Sequence, residues 1–132
     1  MVIDTSAVMA ILQLESECEA FAQAIENADV RLISSVSVLE AGMLVEARKG
    51  PDGARELDNF LRDIGATEVP FGPDQSEMAR IAFRRFGKGR HPARLNFGDC
   101  AAYALAATSG EPLLFKGNDF GQTGIAISDT RH

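Results

Sequence analysis

Apolar residues along the chain fall into two kinds of run. Met1-Val2-Ile3, Val30 to Ile33, Thr67 to Phe71 and Leu113-Leu114-Phe115 are too short for helices and read as buried strands, with Ile125-Ala126-Ile127 as a further candidate. Between them apolar positions recur every three to four residues. Ala7 to Leu12 follows three potential N-caps, Asp4-Thr5-Ser6. Glu15 to Asn27 sets Cys18, Phe21, Ala22 and Ile25 on one helical face, and Ser34 to about Lys49 runs to a stop at Gly50-Pro51. Asp52 to Ile64 repeats the pattern with Leu57, Phe60, Leu61 and Ile64, and Asp74 to Phe86 with Met78, Ile81 and Ala82. Gly87 to Pro92 is a loop. Asn96-Phe97-Gly98-Asp99 then opens the most apolar helix, Cys100 to Thr108, whose small residues suit close burial against a sheet. Gly117 to Gly121 is a turn.

Short strands alternating with helices imply an α/β fold with a mostly parallel sheet covered on both faces. In such sheets ligands bind outside the carboxyl ends of the strands. Asp4 directly follows the first strand, and Asn118-Asp119 lie just beyond Leu113-Leu114-Phe115, so both acids belong to that edge. The length, 132 residues and 14.2 kDa, fits one domain spanning residues 1–132, and 45% hydrophobic against 24% charged residues is enough to bury a core. No apolar run approaches a membrane span and no secretory leader pattern opens the chain. Cys18 and Cys100 make no metal-ligand pattern, and a reducing, cytoplasmic setting is expected.

A formal net charge of -6 argues against a polyanionic partner, but the average hides a segregation. Arg80, Arg84, Arg85, Lys88, Arg90 and Arg94 are six of the 13 basic residues, with no acid between Glu77 and Asp99. Such a stripe on an acidic body suits phosphate binding, since neutralising phosphates releases counterions; it also suits a solvated helix face followed by a flexible loop.

Four acids stand out: Asp4, Glu40, Asp99 and Asp119. Singly, each has a structural role open to it. Asp4 can cap the first helix, Ser37 to Glu40 fits the S-x-x-E capping box, Asp99 can favour a helix start, and Asp119 can serve a turn. Together they place several carboxylates on one edge of a small domain, where they repel unless a cation sits among them. Oxygen ligands without neighbouring His or Cys select Mg²⁺ or Mn²⁺, ions that activate water against a phosphodiester.

Val2-Ile3-Asp4-Thr5-Ser6, Ser37-Val38-Leu39-Glu40 and Leu95-Asn96-Phe97-Gly98-Asp99-Cys100, in this order and spacing, resemble the PIN-domain family, and within it the VapC-type ribonuclease toxins of bacterial toxin–antitoxin pairs. The stretch from Arg85 to Arg94 and the later Leu-Leu-Phe-Lys-Gly-Asn-Asp-Phe are similar to one subgroup of those toxins, and the likeness covers essentially the whole chain. The resemblance implies a three-layer α/β/α sandwich, Mg²⁺- or Mn²⁺-dependent RNA cleavage (of tRNA or another structured RNA) and inhibition by a VapB-type antitoxin. It makes Asp4, Glu40, Asp99 and Asp119 the catalytic acids, with Asp4 and Asp99 as direct metal ligands and Ser6 and Asn118 in support. The fourth acid departs from the family pattern: the matching position holds Gly117, and Asp119 stands in for it.

For RNA contact the expected residues are Arg84, Arg85, Lys88, Arg90, Arg94 and Lys116. His91 is a candidate general acid or an exposed loop residue, and Tyr103 and Cys100 are expected to pack. Apolar Val8, Ile11, Leu12 and Leu14 exceed what one helix can hide, which points to a homodimer with a groove for an antitoxin helix near the first helices. Two rivals remain in view. One is a catalytically inactive PIN-like module that binds RNA or protein. The other, a phosphatase with a nucleophilic Asp after the first strand, needs a second Asp two residues on, where this chain has Ser6.

Overall fold

The structure, a computed structural model, describes residues 1–130. Four strands, β1 (Val2–Ile3), β2 (Leu32–Ser34), β3 (Thr67–Val69) and β4 (Leu113–Leu114), pair in parallel in the order β3-β2-β1-β4. Six helices join them: α1 (Thr5–Leu12), α2 (Cys18–Asn27), α3 (Ser35–Lys49), α4 (Pro51–Asp63), α5 (Pro73–Phe86) and α6 (Phe97–Ser109). The strands are only two or three residues long, so the sheet is held by what covers it.

Alternation along each strand splits the core in two. Ile3, Ile33 and Leu114 point into a cluster with Ala7, Val8, Phe21, Ile25, Val45 and Leu57 from α1 to α4. Val2 and Leu113 point the other way, against Ala82, Phe86, Ala102, Leu105 and Ala106 from α5 and α6. This is the three-layer α/β/α sandwich. Helix α6 is buried on most of its surface, and its alanines let it approach the strands closely.

Several local expectations need correction. The last strand reduces to one bridge, Leu113 to Ile127, fixed by the Leu113 amide on the Ala126 carbonyl and the Ser128 amide on the Leu113 carbonyl. Helix α2 starts at Cys18, because Leu14 turns the chain with a φ of 53°, and its inner face is Phe21, Ala24 and Ile25, with Ala22 exposed. The apolar face on which a dimer was expected is largely consumed inside the fold. Val8 is fully buried, Ile11 and Leu12 pack on the core, and only Leu14 stays outside. The loop after α5 is also tied down: the Lys88 amide donates to the Leu95 carbonyl and the Leu95 amide to the Phe86 carbonyl, with Leu95 fully buried.

Candidate active site

β1 lies in the middle of the sheet, with β2 and β3 on one side and β4 on the other. The chain direction of growth therefore switches between β1 and β4, and a crevice opens beyond their carboxyl ends. Asp4 stands at that point. It is 4% exposed and caps α1, its Oδ2 accepting from the Ser6 amide (3.0 Å) and the Ser6 hydroxyl (2.5 Å). Ser6 Oγ in turn accepts from the Lys116 amide just after β4 (2.9 Å), so one hydroxyl joins the ends of both strands.

Glu40 comes from α3, and the capping-box reading does not apply to it. Ser34 is the N-cap, its Oγ accepting from the Val36 amide, which puts Glu40 in the second turn. Ser37 is instead buried in the first turn, and its hydroxyl has no partner among the described residues. Asp99 does fill the structural role open to it. Asn96 and Asp99 form a reciprocal capping box, with the Asp99 amide on Asn96 Oδ1 (2.9 Å) and the Asn96 amide on Asp99 Oδ2 (3.0 Å). That bond fixes one carboxylate oxygen of Asp99 at the head of α6.

The four acids Asp4, Glu40, Asp99 and Asp119 all line one open cleft of about 530 Å³. Burial is the main force raising the Asp99 pKa to about 7, against a bond from the Asn96 amide, and Asp4, Asp119 and Glu40 add repulsion. Burial likewise lifts Asp4 to about 6, opposed by its two bonds from Ser6 and helped by Glu40. These side chains therefore feel one another's charge. Among the described residues no three His, Cys, Asp or Glu close into a ready cage, so the acids surround the cleft and do not meet at a point. The donor chemistry nonetheless fits a hard divalent ion: no His or Cys lines the cleft.

Gly98 explains the approach of Glu40. A Cβ at that position would lie 2.6 and 2.7 Å from the two Glu40 carboxylate oxygens, so the first turn of α6 accepts the carboxylate only because residue 98 has no side chain. Asp119 is exposed on a turn anchored by the buried Phe120, whose ring meets Phe115 edge-on at 4.8 Å. Asn118 is exposed and does not line the cleft; its carbonyl accepts from the Gly121 amide. Lys116 lines the cleft, with its ammonium paired to Glu15 and 3.5 Å from Glu17, and these carboxylates hold its pKa above the usual lysine value. The basic stripe divides. Arg80, Arg84 and Arg90 line a neighbouring pocket, whereas Arg85, Lys88 and Arg94 are exposed and line neither that pocket nor the cleft. His91 is occupied structurally: its Nδ1 accepts from the Ala93 amide and its ring packs edge-on against Phe86. Tyr103 packs against Phe86, and Cys100 is buried.

Met9, Gln13, Glu15, Leu44 and Arg48 line the cleft and escape the sequence reading. Arg48 and Leu44 follow Glu40 at four-residue intervals along α3 and share its cleft. That spacing was the available signal, since residues four apart stack on one helix face.

Comparison with known proteins decides the family. The PIN domain model matches residues 1–126. The chain belongs to the PIN-domain family. It is 51% identical over 126 residues to "Ribonuclease VapC30" of Mycobacterium tuberculosis, covering 96% of each chain. It is 49% identical to "Ribonuclease VapC" of Mycolicibacterium smegmatis over 96% of this chain and 98% of the relative. Among solved structures, Mycobacterium tuberculosis VapC20, described as a Sarcin-Ricin loop cleaving toxin, superposes with a TM-score of 0.76 at 17% identity, covering 95% of both chains. VapBC2 from Rickettsia felis, bound to a DNA fragment from its promoter, gives 0.72 at 16% identity over 97% of this chain and 96% of that one. At such identities these two structures establish the PIN fold.

Proposed function

We propose that this PIN-domain chain is a Mg²⁺- or Mn²⁺-dependent endoribonuclease, the toxin of a toxin–antitoxin pair, acting in the cytoplasm on tRNA or another structured RNA. The observation that carries the proposal is the gathering of Asp4, Glu40, Asp99 and Asp119 around one cleft at the switch point of the sheet. Relatives named VapC ribonucleases, at about half identity over nearly the full chain, support it.

In this reading Asp4 and Asp99 hold the ion and Glu40 orients it or its water. Bound there, Mg²⁺ or Mn²⁺ lowers the pKa of a water and offsets charge on the phosphate. Ser6 keeps the Asp4 carboxylate turned into the cleft, and Asn96 does the same for Asp99. Asp119, from its anchored turn, adds negative charge to the same cleft, in the place of the acid missing at Gly117. Arg48 and Lys116 are the cations lining the same cleft; Arg48 is suited to meet the RNA phosphate, and Lys116 would do so in exchange for Glu15 and Glu17. The inhibitor is a VapB-type antitoxin, and a cation on it would be drawn to the same acids. Self-association belongs to the reading too, through a surface other than the α1 face that the core consumes; a monomer by light scattering at tens of micromolar contradicts that part.

Cleavage of total cellular RNA tests the proposal, with Mg²⁺, with Mn²⁺ and with chelator, beside Asp99→Asn. Discrete fragments that need metal and vanish in the variant are expected. Intact RNA under every condition, despite measured metal binding, would favour a PIN-like module that binds without cutting.

A further inference from the structure

A second pocket of about 450 Å³ lies beside the acid cleft, between α5 and the start of α6. Its walls combine phenyl rings with guanidinium groups: Phe83 and Phe97, with Arg80, Arg84 and Arg90. Phe97 is 78% exposed and Phe83 is 42% exposed, an unfavourable placement for two rings that the core does not use. The Arg90 guanidinium lies over the Phe83 ring, 5.4 Å from its centre. No acid lines the pocket, and the three arginines have no carboxylate partner among the described residues. Phe97 sits between Asn96 and Asp99 in the first turn of α6, and both of those line the acid cleft. Pocket and cleft are therefore adjacent along one turn of helix.

Aromatic rings stack on unpaired bases, and guanidinium groups both stack on bases and neutralise phosphates. We infer that this pocket is a nucleobase subsite, taking one unpaired nucleotide next to the cleaved bond, with its base against Phe97 and Phe83 and its phosphate among Arg80, Arg84 and Arg90. The inference rests on the ribonuclease reading and adds to it a place where the RNA must be single-stranded. A duplex cannot offer a base face to Phe97, so a nucleotide in a loop or bulge is selected beside the scissile phosphate.

The test uses the Asp99→Asn protein and single-stranded oligoribonucleotides that carry 2-aminopurine, or an abasic site, at one position scanned along the strand. Stacking is expected to quench 2-aminopurine at one position. Phe97→Ala, at an exposed site that does not endanger folding, should abolish that quenching and weaken binding about tenfold. An abasic site at the same position should weaken binding by a similar factor, with no further loss in Phe97→Ala. Quenching that survives Phe97→Ala, or equal weakening of intact and abasic strands, would overturn the subsite. So would unchanged RNA binding with lost antitoxin binding, which assigns the rings to a protein partner. If the wild type cuts RNA while the Phe97 effects are absent, the subsite fails and the nuclease reading stands. If the effects are present and nothing is cut with either metal, the nuclease reading fails instead.

Discussion

At the scale of single residues, the site depends on one missing side chain and on two carboxylates kept where charge is unwelcome. Gly98 lies in a helix, where alanine is ordinarily better by about 1 kcal/mol. Gly98→Ala should therefore leave the melting temperature nearly unchanged or raise it, because the Glu40 carboxylate that it strikes is the end of a flexible chain. Moving that carboxylate by about an ångström should lower kcat tenfold or more. A fall in stability with kcat retained would contradict this role. Asp4 and Asp99 carry pKa values raised to about 6 and about 7. A carboxyl held above its unfolded value binds its proton more tightly in the native state. Without metal, stability thus falls as pH climbs through 6 to 7, and the penalty disappears below about 4, where both states are protonated. Asp99→Asn should raise metal-free stability at pH 8 by on the order of 2 kcal/mol and leave it unchanged near pH 4. Denaturant unfolding at the two pH values checks this, and an equal shift at both would reject the electrostatic cause.

At the scale of elements, helix starts position the candidate acids. Asp4 caps α1, the Asn96–Asp99 box opens α6, and Ser34 caps α3 so that Glu40 falls in the second turn. Asn96→Ala removes the side-chain bond to the Asp99 amide and should cost about 1 kcal/mol of stability, a typical cap value, while the backbone amide of residue 96 still holds the Asp99 carboxylate and cleavage by the folded protein is retained. Lost cleavage in a variant that remains folded would show that the Asn96 side chain, and not the backbone amide, orients Asp99. Most elements were legible in the chain, since strand blocks and three-to-four spacing carry through tertiary packing with little change. What failed was local. The S-x-x-E pattern at Ser37 was outcompeted by Ser34 three residues earlier, and the apolar excess of α1 was absorbed by the core. The acids were legible as residues, and Arg48 only through its spacing from Glu40; the role of Gly98 was not legible, because it depends on how α3 lies against α6.

At the scale of the whole molecule, acidic and basic groups occupy neighbouring regions. Under the proposed function the acid cleft would repel RNA unless a cation neutralised it, while the arginines of α5 and the following loop would attract the backbone. RNA affinity should fall steeply with salt, and Arg84→Gln or Arg90→Gln should each reduce the slope of log affinity against log salt by roughly 0.7, as for one lost phosphate contact on a single strand. Filter binding across a salt series measures it, and an unchanged slope in both variants would remove the stripe from the interface. In the proposed function the carboxylates of the cleft together hold a divalent ion. Calorimetric titration of Mn²⁺ into metal-free protein should show binding that Mg²⁺ competes away and that Asp4→Asn and Asp99→Asn each abolish. No Mn²⁺ binding by the wild type, or undiminished binding by both variants, would contradict it.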